Sequence, residues 1–249
     1  MKYAGIDIGS RTIKLAVLEN GRLIYSRKSV TSHNPLETAH DLMDSAEFDV
    51  ITATGYGRHL IKSHMSCPVI SEISAFVLGA RFFPNTCRSI LDIGGQDTKA
   101  ILLDFQGDLS KFEMNDRCAA GTGRFLEVMA AVLGFTLEEF STAALSAKKA
   151  VKINSMCTVF AESEVVSLTS QGADRDEVAL GIHRAIVGRS AGLLKRLSPT
   201  GGIFFAGGVA LNGCVRILLE QEMNRPVFVP PDPQLVGAIG AALKGVTED

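Results

Sequence analysis

The sequence predicts an α/β protein made of two related lobes. A three-strand meander occurs twice, and the stretch that follows the second copy alternates helical and strand periodicity. At 249 residues, 46% hydrophobic and 21% charged, the chain has enough apolar material for one large domain or two lobes.

Residues 3–30, YAGIDIGSRTIKLAVLENGRLIYSRKSV, read as three strands joined by tight turns at Gly9-Ser10 and Asn20-Gly21. Asn-Gly between apolar runs is a strong hairpin signal. Residues 88–115 repeat the layout, and the two Asp-Ile-Gly units start at Asp7 and Asp92, 85 positions apart. Two copies of one meander suggest lobes over 1–86 and 87–234, with a helix over 235–249 packing back on the first.

The spacing of Phe125, Val128, Met129, Val132 and Leu133 predicts a helix within residues 121–134, with Gly134 as its C-cap. TVFAESEVVSLTSQG reads as a second helix closing at Gly172. Asp174 and Glu177 suggest a capping box for a third, long helix ending near Leu197. GGIFFAGG reads as a buried strand, ALNGCVRILLEQEM as a helix, PVFVP as a short strand and LVGAIGAALKG as a closely packed small-residue helix.

With 25 basic and 27 acidic side chains the net charge is −2, so nothing points to nucleic acid or an anionic membrane. The longest apolar runs are about half the roughly 20 residues of a membrane span, and the N-terminus enters a strand pattern. A cytoplasmic protein is expected. Its five cysteines, Cys67, Cys87, Cys118, Cys157 and Cys214, form no CxxC pair, which argues against a disulfide framework and against local zinc or ferredoxin spacing. His59, His64 and Cys67 match no familiar zinc pattern either, and Cys67, Cys87 and Cys214 are read as core residues.

Each Asp-Ile-Gly turn combines a strand-end acid, small or hydroxyl residues and a lysine. The first has Asp7, Gly9, Ser10, Thr12 and Lys14; the second has Asp92, Gly94, Gly95, Thr98 and Lys99. Glycine lets backbone N–H groups approach a phosphate, and an aspartate can hold a hydrated Mg²⁺. A third glycine element, Gly207-Gly208, precedes a helix. Neither GxxxxGK[ST] nor GxGxxG occurs, which excludes a P-loop or Rossmann fingerprint. Gln96 and Asp97 are candidates to orient an attacking water, or else turn formers.

This three-part pattern resembles the actin, Hsp70 and sugar-kinase superfamily of ATPases, with its ribonuclease H-like lobes and a nucleotide cleft between them. The resemblance implies ATP or ADP with Mg²⁺ facing Asp7 and Asp92, through water. It also implies that Gly9, Ser10, Arg11, Thr12, Lys14, Gly94, Gly95, Gln96 and Thr98 lie toward the phosphates, and that Gly207, Gly208, Asn212 and Gln234 border the nucleotide. Glu162 or Glu164, read in a first helical turn, would contact ribose, Glu164 being preferred. Arg11 stands where relatives usually show a small residue.

Within that superfamily, NDRCAAGTGRFLEVMA, NSMCTVFAESEVVSL, TGYGR (Thr54 to Arg58) and DIGGQDTK resemble the activator ATPases of 2-hydroxyacyl-CoA dehydratases and the benzoyl-CoA reductase ATPase subunits. This implies an oxygen-sensitive homodimer in which Cys118 and Cys157 of both chains hold one [4Fe–4S] cluster. Reduced ferredoxin or flavodoxin would load it, ATP would change the angle between lobes and subunits, and an iron–sulfur dehydratase or reductase would accept the electron. Both cysteines precede predicted helices, whose N-terminal N–H groups and dipole favour an anionic cluster. Two ligands per chain, 39 positions apart, suit a site completed by symmetry. The alternatives are a small-molecule kinase of the same superfold with inert cysteines and a nucleotide-binding interaction module. A kinase needs a catalytic base, and no carboxylate outside the phosphate turns stands out for that role.

Overall fold

A computed structural model describes residues 1–65, 67–155 and 157–248. Met156, inside the second cysteine motif, and Asp249, at the end of the expected C-terminal helix, lie outside the described residues. The chain divides into two compact units, one formed by 1–86, 103–110 and 230–249 and the other by 87–102 and 111–229.

The first unit opens with β1 (Lys2–Ile8), β2 (Thr12–Glu19) and β3 (Arg22–Val30), an antiparallel meander with a bulge between Val17 and Leu18. The β2–β3 turn has Asn20 at φ 50° and Gly21 at φ 72°, the left-handed pair that a two-residue hairpin turn needs. A helix α1 (Pro35–Met43) then carries the chain back to β4 (Val50–Thr54), which lies parallel to β1 and gives the order β3-β2-β1-β4. Helices α2 (Arg58–His64) and α3 (Glu72–Phe82) follow.

Both faces of β1 and β2 are covered, which is why these strands read as nearly continuous apolar runs, whereas the edge strand β3 is mostly exposed. Ala4, Ile6 and Ile8 of β1 and Ile13, Leu15 and Val17 of β2 pack with Ala39, Leu42 and Met43 of α1. The alternate residues face the C-terminal helix α9 (Val236–Glu248), where Ala16 meets Ala238 and Ile239. That helix lies close against α3: a Cβ on Gly240 would fall 1.7 Å from the Ala75 carbonyl oxygen. Small residues in α9 are therefore a packing requirement.

The second unit repeats the plan with β5 (Ser89–Ile93), β6 (Thr98–Leu103), β7 (Leu109–Asn115) and, parallel to β5, β8 (Ile203–Ala206), followed by β9 (Val227–Phe228); the order is β7-β6-β5-β8-β9. Its core gathers Leu91 and Ile93 from β5 and Phe205 from β8. It adds side chains from α4 (Gly123–Leu133), α5 (Leu137–Ser146), α6 (Thr158–Ser170), α7 (Arg175–Arg196) and α8 (Gly213–Met223).

Local signals and structure differ at three points. The capping box belongs to α5, where Thr136 and Glu139 exchange hydrogen bonds; at α7, Asp174 caps Asp176 and Glu177 with no return bond. The Gly207-Gly208 pair opens a 3₁₀ turn, Gly208–Leu211, and Asn212 caps the helix that follows. Cys118 likewise precedes a 3₁₀ turn, Ala119–Gly121, and α4 starts only after Thr122.

Among the described residues, no single helix is long and apolar enough to cross a membrane.

Candidate functional site

The two Asp-Ile-Gly turns have one construction. Asp7 lies opposite Lys14 across β1 and β2, as Asp92 lies opposite Lys99 across β5 and β6. The turns close with Gly9 N–H on the Thr12 carbonyl at 3.1 Å and Gly94 N–H on the Asp97 carbonyl at 2.9 Å. The 85-residue offset therefore holds residue by residue, placing Arg11 and Gln96 at equivalent, exposed positions and Thr12 level with Asp97.

Each strand-end carboxylate is buried and paired. Lys14 Nζ lies 3.1 Å from Asp7 Oδ2, and Lys99 Nζ lies 3.3 Å from Asp92 Oδ2 and 2.6 Å from Asp97 Oδ2. Asp97 is thereby tied to Lys99, whereas Gln96 projects at the tip. Each carboxylate also rests against a glycine. Gly55, at φ 90° after β4, would place a Cβ 2.4 Å from Asp7 Oδ1, and Gly207, at φ 84° after β8, would place one 2.4 Å from Asp92 Oδ1. Gly237, in the first turn of α9, borders Asp7 Oδ2 as well. The TGYGR loop is thus the first unit's counterpart of the Gly207-Gly208 loop, an equivalence visible only once the parallel pairing of β4 and β8 is known.

Four expected contacts have partners within the fold. Thr98 is fully buried in β6, and its hydroxyl donates to the Gly121 carbonyl at 2.6 Å, away from the turn tip. Asn212 Oδ1 accepts from Val215 N–H and the Ser141 hydroxyl, both at 3.0 Å, and its Nδ2 reaches His183 Nε2 at 3.0 Å, so its side chain serves the fold. Glu164 sits in the second turn of α6, not the first. Its Oε1 accepts from Asn154 N–H at 2.9 Å and its Oε2 from Ser155 N–H at 2.8 Å, which fixes the loop before Cys157. Burial works to raise the Glu164 carboxyl, but the bonds from Ser155 and Asn154 outweigh it and hold it below the usual carboxylate range. Gln234, in the first unit, accepts from Lys28 Nζ at 3.2 Å, and the same ammonium lies 2.7 Å from Asp232.

Among the five thiols, Cys118 and Cys157 are exposed, Cys67 and Cys214 are buried, and Cys87 is half-buried. Burial pushes the Cys67 and Cys87 thiols up and the Cys214 thiol to about 12, so these three stay protonated near neutrality. Cys157 is the N-cap residue of α6. The first N–H groups of α4, by contrast, are spent: Gly123 N–H donates to the Gly94 carbonyl at 2.8 Å and Arg124 N–H to the Gly95 carbonyl at 3.0 Å. They hold the second glycine turn, so the helix-terminus argument applies to Cys157 and not to Cys118. Arg189 Nη1 donates to the Ala120 carbonyl at 2.8 Å and Nη2 to the Ser155 carbonyl at 3.2 Å. Burial lowers the Arg189 pKa, and the neighbouring Cys118 works against that. Among the described residues, no three His, Cys, Asp or Glu side chains gather to hold a metal ion.

Duplicated β-meanders with paired Asp–Lys turns define an actin-like ATPase fold. Residues 4–245 match the BadF/BadG/BcrA/BcrD ATPase family, and the chain belongs to it. It is 42% identical over 252 residues to the activator of lactoyl-CoA dehydratase from Anaerotignum propionicum, covering 98% of this chain and 96% of that one. The activator of the 2-hydroxyisocaproyl-CoA dehydratase from Clostridium difficile, solved with bound ADPNP, superposes with a TM-score of 0.91 at 37% identity, over 100% of this chain and 95% of that one. A ROK family glucokinase from Streptomyces griseus, at 14% identity and a TM-score of 0.62 over 98% of this chain and 99% of that one, shares the fold alone.

Proposed function

We propose that this protein is a cytoplasmic, ATP-dependent electron-transfer activator. As a homodimer it passes a low-potential electron to an iron–sulfur 2-hydroxyacyl-CoA dehydratase, with reduced ferredoxin or flavodoxin as donor. The observation that carries this reading is the exposure pattern of the cysteines: the two in the long family-like motifs face solvent, and the other three are wholly or partly buried. Two thiols per chain, with no third ligand gathered among the described residues, make half of a four-cysteine set, and a second copy supplies the remainder. That donor chemistry suits a [4Fe–4S] cluster on Cys118 and Cys157 of both chains. When bound, it supplies one-electron chemistry at low potential. The names of the relatives support the dehydratase as partner.

In this reading the glycine turns and Lys14 bind the nucleotide phosphates, and Asp7 and Asp92 would be the carboxylates that face a hydrated Mg²⁺, which would neutralise phosphate charge. Gln96, at the exposed tip, is the better placed of the two water-orienting candidates, since Asp97 is held by Lys99. Gly207 and Gly208 offer backbone to the nucleotide. The Gly94 and Gly95 carbonyls are gripped by α4, which follows the Cys118 turn, so a change in the second phosphate turn bears directly on that segment. The test is an anaerobic mixture of the protein, a chemically reduced ferredoxin and an iron–sulfur 2-hydroxyacyl-CoA dehydratase, followed by electron paramagnetic resonance. Reduction of the dehydratase that requires hydrolysable ATP is expected. Phosphoryl transfer to a sugar, with no reduction of the dehydratase, contradicts the reading.

A further inference from the structure

We infer that Arg189 is the positioning residue of the cysteine site, holding both cysteine loops with one side chain. The inference rests on the activator reading above. Arg189 lies in the middle of α7. Its two terminal nitrogens donate to Ala120, two residues after Cys118, and to Ser155, two residues before Cys157. The guanidinium carbon stands 5.3 Å from the ring centroid of the fully buried Phe125, which fixes the base of the fork.

The rest of each loop is held locally and separately. Asn115 Nδ2 donates to the Cys118 carbonyl at 2.9 Å and Thr98 to Gly121, while Glu164 fixes Asn154 and Ser155. Arg189 joins these two local systems. A planar guanidinium suits that task, since its donors diverge in a fixed fork; a lysine has three donors at one point and cannot hold two carbonyls in the same way. It also places a permanent positive charge beside Cys118, which favours the more negative, reduced form of a thiolate-bound cluster.

The test compares wild type, Arg189→Lys and Arg189→Met, first without iron. Amide hydrogen exchange around both Ala120 and Ser155 is expected to run about tenfold faster in Arg189→Met, with β1–β4 unchanged as a folding control. In Arg189→Lys the loops remain loosened. After anaerobic reconstitution with iron and sulfide, Arg189→Met is expected to retain iron about ten- to a hundredfold more weakly and to show a lowered midpoint potential. Arg189→Lys returns the potential toward wild type, because the charge is restored without the fork. Unchanged exchange at either loop in Arg189→Met overturns the assignment, as does wild-type iron retention and potential in that variant. A wild type that takes up no iron contradicts the activator reading instead.

Discussion

Lys99 Nζ lies 3.3 Å from Asp92 Oδ2, with the two side chains 3% and 4% exposed, and Lys14 repeats the contact with Asp7 in the same strand register. A buried pair of this kind is expensive to break by removing one partner, because the other charge stays behind without water.

Asp92→Ala leaves Lys99 with Asp97 as a partner at 2.6 Å, so it is expected to cost roughly 1–3 kcal/mol of stability as well as Mg²⁺-dependent ATP turnover. Asp7→Ala, at a slightly more exposed pair, should cost roughly 1–3 kcal/mol and likewise lose turnover. Asp7→Asn and Asp92→Asn separate the two effects by keeping shape and hydrogen bonding. Urea denaturation and phosphate release measure them; full turnover in both Asn variants would contradict the role of these carboxylates.

Gly55→Ala and Gly207→Ala each drive a methyl group into the neighbouring aspartate and into the backbone of Ile8 or Ile93, while imposing a positive φ on alanine. Both are expected to lose ATP turnover. Gly21→Ala is the control, since its φ of 72° is similar but nothing lies within 4 Å of the added carbon. It should cost about 1 kcal/mol from the backbone alone and leave turnover intact. Equal effects at all three positions would show that backbone strain, not contact with the carboxylate, decides the outcome.

His183 sets an acid limit. It is fully buried against Phe140, and its orientation follows from Asn212. Because Asn212 Oδ1 accepts from Val215 and Ser141, Nδ2 must donate to His183 Nε2, which leaves the proton on Nδ1 facing the Ala179 carbonyl at 2.8 Å. Burial lowers its pKa from 6.5 to about 4. Between those values the unfolded chain binds the proton and the folded one does not, so stability falls as pH drops, by about 3 kcal/mol in total. His183→Gln should flatten that part of the profile in denaturation measured from pH 7 to 4. An unchanged slope would mean that other groups govern it.

What the sequence disclosed follows the range of the forces involved. The two Asp-Ile-Gly turns and the Asn20-Gly21 hairpin were legible because turn chemistry is settled within about four residues. The apolar face of α4 and its Gly134 cap were legible for the same reason. Gly55 was not, because its demand for a missing side chain arises from Asp7, 48 positions earlier and reached through parallel strand pairing. Asn212 and Thr98 looked available in sequence, yet Ser141, His183 and Gly121 had already engaged them from distant segments. Arg189 carried no local signal: it is one of seven charged residues in a 22-residue helix, and its partners lie 69 and 34 positions away. The expected helix start behind Cys118 failed because a 3₁₀ turn intervenes and the α4 N-terminus holds the second glycine turn.

In the proposed activator, Cys118 and Cys157 are half of a site completed by a second copy of the chain. The most direct measurement is iron and sulfide per chain, with molar mass in solution, on protein prepared without oxygen. About four irons per dimer are expected, following the four-cysteine rule, with iron lost and dimerisation weakened in Cys118→Ala and in Cys157→Ala. A monomeric, iron-free wild type, or a Cys118→Ala protein that keeps its full iron, would contradict the account.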